Sequence, residues 1–120
     1  MDYQDYTSLN VWKEAKDLVT TIYRLTINFP SIEAYGLTAQ IRRCAVSIPS
    51  NIAEGCGRNH AKDSIQFFYI SRGSLYELET QLYISLDLNY LKDEEFKSTL
   101  NQITACKKLL NGFINYYKTK

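Results

Sequence analysis

The sequence predicts an all-α protein, folded as an antiparallel up-and-down four-helix bundle with a proline kink in the second helix. Apolar residues recur every three or four positions in four segments, which is the period of a helix with one buried face. Only five glycines and two prolines interrupt the 120 residues, and short connectors favour antiparallel neighbours. We expect one domain over residues 1–120, with residues 1–7 as an N-terminal tail.

The first helix is indicated by a heptad stripe of apolar residues. Its members are Val11, Ala15, Leu18, Ile22, Leu25 and Phe29. We expect the helix to end at Pro30, because the residue before a proline avoids helical backbone angles. Residues 31–36 then form a connector.

The second helix is predicted from Leu37 to Gly55 or Gly57, since glycine readily ends a helix in the left-handed conformation. It contains Pro49, which lacks an amide hydrogen and crowds the carbonyl of Ala45. In a plain helix interior this costs about 3 kcal/mol. A polar set steps by 4, 3 and 4 residues around the proline and therefore shares one face of the helix. Its members are Ser47, Asn51, Glu54 and Arg58.

Three interpretations of the Pro49 segment compete. A true break would let Asn51 cap a new helix with Glu54 completing a capping box, but few residues then remain before Gly55. A catalytic site with Glu54 as general base has no nucleophile or metal partner, and Glu54 has the i, i+4 spacing to Arg58 of an ordinary helix ion pair. We favour a continuous, kinked helix whose freed carbonyl bonds to water or a neighbour, while the polar face bonds across to another helix.

The third helix is predicted over about residues 62–89, after Asn59 as its N-cap. Four tyrosines along it are spaced by seven, so they form one stripe that drifts only about 20° per heptad. They are Tyr69, Tyr76, Tyr83 and Tyr90. Their rings cover the edge of the bundle's own core, or form a contact between protomers of an oligomer. Stacking on nucleic-acid bases is the weakest of the three interpretations, because such platforms normally accompany a basic groove.

Gly73 lies in the middle of this third helix, where glycine costs about 1 kcal/mol relative to alanine. We expect a close approach of its backbone to the second helix. The fourth helix begins at Asp93-Glu94-Glu95, whose carboxylates suit the positive end of the helix dipole, and continues through Tyr117.

Composition argues against several kinds of site. An odd number of cysteines (Cys44, Cys56, Cys106), no CxxC pair and a single histidine argue against zinc and a disulfide framework. We expect no metal or cofactor. The N-terminus is acidic and polar, and no apolar run approaches the roughly 18 residues of a membrane span. The sequence therefore predicts a cytoplasmic protein with no membrane contact.

Two small basic clusters are the candidate nucleic-acid contacts. The first is the pair Arg42-Arg43, and the second is the set Arg58, His60 and Lys62 at the turn between helices two and three. Regular geometry would put Arg42 and Arg58 about 24 Å apart along the axis. The net charge is only +1, so a monomer offers scattered charge, whereas a ring oligomer would repeat each cluster around its axis.

Seven segments also carry a family resemblance. They are Val11–Ala15 (VWKEA), Phe29-Pro30, Tyr35–Leu37 (YGL), Gln40–Arg43 (QIRR), Ser47–Gly55 (SIPSNIAEG), Arg72–Glu79 (RGSLYELE) and Asp87–Leu91 (DLNYL). Together they resemble the four-helix-bundle proteins encoded by intervening sequences of bacterial large-subunit ribosomal RNA genes, the S23 ribosomal protein-like family. By the same resemblance, the fold is shared with the accessory variability protein of diversity-generating retroelements. The resemblance implies a pentameric barrel of bundles, and its retroelement relatives bind nucleic acid and a reverse transcriptase.

The leading functional hypothesis is a non-enzymatic, self-associating bundle that acts as an RNA-associated or ribonucleoprotein accessory factor. The nucleic-acid role depends mainly on the resemblance. The alternative is an adaptor that binds a protein partner, such as a reverse transcriptase, without touching nucleic acid. An enzyme is the weakest option, because no nucleophile–base pair, metal cluster or carboxylate pair occurs at a sensible spacing.

Overall fold

The structure is a computed structural model that describes residues 5–120. Its four helices are α1 (Asn10–Thr26), α2 (Leu37–Cys56), α3 (Ala61–Asp87) and α4 (Asp93–Lys118). Single 3₁₀ turns at Tyr6–Ser8 and Ser31–Glu33 precede α1 and α2. The described residues contain no strand, and the predicted all-α class is confirmed.

The helices pack as a closed ring of neighbours. Helix α2 packs against α1 and α3, and α4 packs against α3 and α1. The bundle measures 47 × 25 × 20 Å. This arrangement confirms the predicted four-helix bundle.

The core consists of the apolar stripes that the spacing predicted. Side chains with no more than 1% exposure come from all four helices: Leu18, Ile22, Ile41, Ile48, Ile52, Phe68, Leu75, Leu78, Leu82, Ile103, Leu110 and Ile114. Burying such a side chain is worth about 1.5–3 kcal/mol, so these stripes supply most of the drive to fold.

Three helix ends differ from the prediction. Helix α1 ends at Thr26 rather than near Phe29, whose amide closes a turn onto the Thr26 carbonyl at 3.1 Å. Helix α3 begins at Ala61, so His60 rather than Asn59 is the capping residue, and its side chain makes no cap hydrogen bond. Helix α3 ends at Asp87, because Asn89 takes the left-handed conformation (φ 62°) that stops a helix.

Part of the predicted N-terminal tail is ordered into a turn. Residues 1–4 lie outside the described residues. The Asp5 carboxylate accepts the Thr7 amide at 3.0 Å, and the Tyr6 ring meets the Trp12 ring edge-on at 5.4 Å between centroids. The turn therefore packs on α1.

Helix α2 continues without interruption through Pro49, as the favoured interpretation required. The bend at Pro49 stays a prediction. Two cross-helix contacts lie just before the proline: the Ser71 hydroxyl donates to the Ile48 carbonyl at 2.9 Å, and the Ser47 and Ser74 hydroxyl oxygens lie 2.7 Å apart, at hydrogen-bond distance. Both contacts join α2 to α3, so the part of α2 next to Pro49 is held against α3.

Two members of the predicted polar face do not bond across to another helix. The Asn51 amide donates to the Ser47 carbonyl within α2, at 2.8 Å. Glu54 accepts Arg58 Nη2 at 3.2 Å, also locally. The cross-helix role expected of Asn51 and Glu54 is therefore wrong, because both side chains find partners one turn away.

The close helix approach occurs at Gly55 instead of Gly73. A Cβ at Gly73 would meet nothing within 4 Å, and this glycine is exposed. The expected contact of Gly73 with α2 is therefore wrong. At the buried Gly55, a Cβ would run into the Phe68 ring and lie 2.9 Å from the Ser64 carbonyl oxygen. The α2–α3 approach therefore requires glycine at position 55.

Candidate nucleic-acid interface

Arg42 is held in place by two residues of α1. Its Nε donates to Thr26 Oγ1 at 2.8 Å, and its guanidinium carbon lies 4.6 Å from the centroid of the Tyr23 ring. A guanidinium stacked on an aromatic face keeps hydrogen-bond donors on its edge. No carboxylate among residues 5–120 forms an ion pair with it. Arg42 is therefore a preorganised cation with donors left for an anion.

Arg43 lies beside Arg42 at the rim of one shallow depression between α1 and α2, which we call the arginine depression. Its volume is about 470 Å³. The residues lining it are Tyr23, Ala34, Thr38, Ala39, Arg42, Arg43 and Val46. Within the part of the chain that the structure describes, two guanidinium groups and no carboxylate line this surface, so it favours an anionic ligand.

A second depression lies on the other side of Arg43, between α2 and α3. Glu77 lines it together with Gln40, Cys44, Ser47 and Ser74, in a volume of about 310 Å³. Glu77 and Arg43 make no ion pair within 4 Å. The two sides of Arg43 therefore differ in charge, and the side toward α1 is the more positive.

The predicted cluster at the α2–α3 turn is more neutral. Arg58 pairs with Glu54 and lies 4.4 Å over the Phe67 ring centroid. Asp63 lines the small depression beside it. His60 and Lys62 are exposed there. The structure thus separates the five predicted contact residues into two sites and leaves the Arg42–Arg43 site without acidic neighbours on the α1 side.

Tyr23 is a site residue that the sequence analysis missed. It lies on the flank of α1, four residues after Val19 and eleven after Trp12. Trp12 and Val19 are themselves apolar and widen the stripe of this helix on the same flank. Extending that flank by one further turn would have identified Tyr23, but not the arginine that stacks on it.

The four stripe tyrosines have different environments. Tyr76 lies under Lys107 Nζ (4.1 Å from its centroid), and Tyr83 meets the Phe96 ring edge-on at 4.9 Å, so both border α4 while remaining about half exposed. Tyr69 is half-buried beneath Arg72, at 4.8 Å.

Tyr90 is tied to the connector between α1 and α2. Its hydroxyl donates to Glu33 Oε2 at 2.8 Å, and its ring lies 5.2 Å from the Phe29 ring. Glu33 also accepts the Leu37 amide at 3.1 Å. The bond from the Leu37 amide, and then that from Tyr90, lowers the pKa of Glu33. Tyr90 therefore helps to hold the start of α2.

The thiols have the character of core groups and not of nucleophiles. Burial raises the pKa of Cys44 to about 12, with Glu77 nearby adding to the shift, and the Cys44 thiol donates to the Ser74 carbonyl at 3.1 Å. Burial likewise raises the pKa of Cys106 to about 12 and raises that of Cys56. A thiol is reactive as its thiolate, so these three are poorly reactive at neutral pH.

Among residues 5–120, no three histidine, cysteine or acidic side chains lie close enough to hold a metal ion. Within the same part of the chain, none of the helices combines the length and the apolar character that crossing a bilayer requires.

Comparisons with known proteins agree with the fold. The family described as 23S rRNA-intervening sequence protein matches residues 7–112. The chain is also similar to the crystal structure of a protein of unknown function from the S23 ribosomal protein family of Bacteroides thetaiotaomicron VPI-5482. The two share 25% identity with a TM-score of 0.78, over 87% of this chain and 97% of that chain. No curated protein matches the chain significantly.

These matches confirm the predicted resemblance to proteins of ribosomal RNA intervening sequences. The further likeness to the accessory variability protein of diversity-generating retroelements stays a prediction.

Proposed function

This chain belongs to the 23S rRNA-intervening sequence protein family, and on that basis we propose that it is a non-enzymatic, self-associating helical bundle that binds RNA as a ribonucleoprotein accessory factor. The family name points to ribosomal RNA as the molecular context. The proposal assigns the main phosphate contacts to Arg42 and Arg43, and a weaker contribution to Arg58, His60 and Lys62.

The arginine depression is the observation that carries this proposal. It brings two guanidinium groups to one surface, and none of the described residues that line it carries a carboxylate. Arginine suits phosphate because its planar fork presents several donors in fixed geometry. Stacking on Tyr23 and bonding to Thr26 fix Arg42 in advance, so less rotamer entropy is lost when a phosphate binds.

A salt series on the binding of structured RNA tests the proposal. We expect affinity to fall steeply as salt rises, because each phosphate contact releases counterions. Replacing Arg42 and Arg43 together (Arg42→Gln, Arg43→Gln) is expected to weaken binding and reduce the salt slope by about one per lost contact. Fluorescence anisotropy of a labelled RNA measures both quantities.

Arg58→Gln is the matched control, because it removes the same charge from a site that also carries the acidic side chains of Glu54 and Asp63. We expect Arg58→Gln to lose less affinity for RNA than Arg42→Gln or Arg43→Gln does when each is made singly. The absence of RNA binding by the unmodified protein at low salt would contradict the proposed function. An equal loss in Arg58→Gln would contradict the choice of the arginine depression.

Self-association is supported by the outer face of α3. Ile70, Gly73, Tyr76, Tyr83 and Ile84 lie within an arc of about 140° on this helix and are exposed. Thr80 and Glu77 are exposed within the same arc, and large exposed apolar side chains bordered by polar ones are typical of an interaction site. Gly73, which has open space beside it, would allow a second protomer to approach closely.

A protein-binding adaptor is the second candidate, and the connector between α1 and α2 favours it. Ile27, Ile32 and Tyr35 are 72%, 86% and 101% exposed. Neighbouring exposed apolar side chains are typical of an interaction site. Capture of a protein partner that survives nuclease treatment, together with no RNA binding, would favour this candidate over the first.

A further inference from the structure

We infer that the groove between α1 and α2 binds a single-stranded segment of RNA, with bases on its aromatic residues and phosphates on its cations. This inference rests on the proposed RNA-binding function and specifies the ligand of the same site. The surface between α1 and α2 has a second depression beyond Arg42 and Arg43, toward Trp12.

A second depression, of about 340 Å³, lies between the same two helices. Val46 lines both, so the two depressions adjoin at this side chain, and we call them together the α1–α2 groove. Trp12 lies at one end and Tyr23 at the other, eleven residues apart on α1. At 1.5 Å per residue this spans about 16.5 Å, which accommodates about five stacked nucleotides at 3.4 Å each.

Aromatic rings occur at both ends of the groove. Tyr6 is 37% exposed and packs edge-on against Trp12, and Tyr23 is 41% exposed under the Arg42 guanidinium. Unpaired bases stack on such rings and on guanidinium planes. Bases in a duplex are already stacked and paired, so this arrangement favours a single strand.

The charges along the groove are complementary to a phosphate backbone. Among residues 5–120, the side chains of Lys16, Arg42 and Arg43 line it and no carboxylate does. Lys16 does contact Asp17 at 3.4 Å, but both side chains are more than half exposed, so this ion pair is weak and easily exchanged for a phosphate. Cations therefore occur at intervals along a path that also carries aromatic rings.

Pro49 is one of the residues that line the groove, and it has no backbone N–H group. It lines the cavity together with the hydroxyl-bearing Thr20 and Ser50. These two hydroxyls are available for a ribose 2′-hydroxyl, the group that distinguishes RNA from DNA. The groove thus combines the three contacts that a single RNA strand uses: rings, cations and hydroxyl groups.

The fluorescence of Trp12 provides a direct test, because it is the only tryptophan in the chain. We would titrate the unmodified protein with a labelled 12-nucleotide RNA of unstructured sequence, and with the same RNA annealed to its complement. Anisotropy of the label reports binding, and tryptophan emission reports occupation of the groove. We expect the single strand to bind more tightly than the duplex and to change the Trp12 emission.

Two leucine variants separate stacking from charge. Tyr6→Leu and Tyr23→Leu remove a ring at opposite ends of the groove, and only Tyr23 contacts Arg42. Each is expected to weaken single-strand binding on the order of tenfold. Tyr116→Leu is the matched control, because this exposed tyrosine lies on α4 outside the groove. The affinity of this variant for the single strand should equal that of the unmodified protein.

The outcomes distinguish this inference from the proposed function. If single strand and duplex bind equally and Trp12 emission does not change, the groove inference is overturned while RNA binding stands. A Tyr116→Leu loss equal to that of Tyr6→Leu also overturns it. If neither RNA binds at low salt, both the inference and the proposed function fall.

Discussion

Gly55 shows how a single residue sets the distance between two helices. It is buried where α2 crosses α3, and an added Cβ would meet the Phe68 ring and the Ser64 carbonyl. The backbone carbonyl cannot move aside as a flexible side-chain end can. Position 55 therefore requires glycine because of its neighbours on α3, although the sequence alone suggests a residue that ends the helix.

Gly55→Ala is expected to destabilise the protein by about 1–3 kcal/mol, the usual cost of overpacking a filled core. The free energy of unfolding from urea titration measures this. Gly112→Ala is the control, since Gly112 is an exposed mid-helix glycine with nothing within 4 Å of the new methyl group. It should stabilise by about 0.5–1 kcal/mol. A stabilising Gly55→Ala would show that α2 and α3 can separate without cost.

Arginines 42 and 58 show why residue type alone does not identify a binding site. Both were predicted as nucleic-acid contacts from local clusters of basic residues. Arg42 stacks on Tyr23, a residue of another helix, whereas Arg58 pairs with Glu54 one turn away. The second pairing was predictable from its i, i+4 spacing, but the first depends on how α1 and α2 are rotated against each other.

Small polar side chains join α2 to α3 beside Pro49, and we call this contact the α2–α3 seam. Ser71 and Ser74 of α3 bond to the Ile48 carbonyl and to Ser47 of α2. Small polar side chains allow the helices to approach, and their hydrogen bonds satisfy buried groups. The predicted polar contact across helices is thus real at Ser47, although Asn51 and Glu54 do not take part in it.

Ser71→Ala is expected to destabilise by about 0.5–1.5 kcal/mol, because it removes an interhelical hydrogen bond from a fully buried position. Ser85→Ala is the matched control: Ser85 is equally buried on the same helix but bonds only to the Gln81 carbonyl of its own helix. Such back-bonds compete with the helix, so this change should cost less. Equal losses in urea titrations would mean that the seam bond contributes nothing specific.

The four stripe tyrosines do not share one environment. The prediction offered core cover and protomer contact as alternatives. Tyr90 bonds to Glu33 of the same chain, and Tyr69 is half-buried, whereas Tyr76 and Tyr83 keep half of their area exposed. Tyr69 and Tyr90 therefore lie against their own chain, whereas a protomer contact through Tyr76 and Tyr83 stays a proposal.

At the scale of the whole molecule, the net charge of +1 conceals an uneven distribution. The first turn of α4 carries Asp93, Glu94 and Glu95, whereas the rest of the chain from Phe96 onward carries five lysines and no acidic side chain. The α1–α2 groove likewise has three cations in its lining and, counting residues 5–120, no carboxylate. Net charge reports on solubility and association, and it does not describe such local surfaces.

Self-association is the prediction that belongs to the whole molecule. Light scattering on the purified protein should give a multiple of the 13.9 kDa chain mass, and a ring of five, as the resemblance implies, would give five times that mass. Ile70→Lys places a charge on the outer face of α3 and should lower the observed mass. Tyr116→Lys places the same charge on α4 and should not. A wild-type mass of one chain would contradict the proposal.

Local periodicity was enough to predict the four helices and their core stripes, because a helix repeats every 3.6 residues and its buried face is written directly into the order of the residues. The packing partners of Gly55, the stack of Arg42 on Tyr23 and the adjacency of two depressions at Val46 depend on residues that are distant in sequence. Those contacts follow from the rotation and axial register of neighbouring helices. Many side chains jointly fix that geometry, and no single segment encodes it.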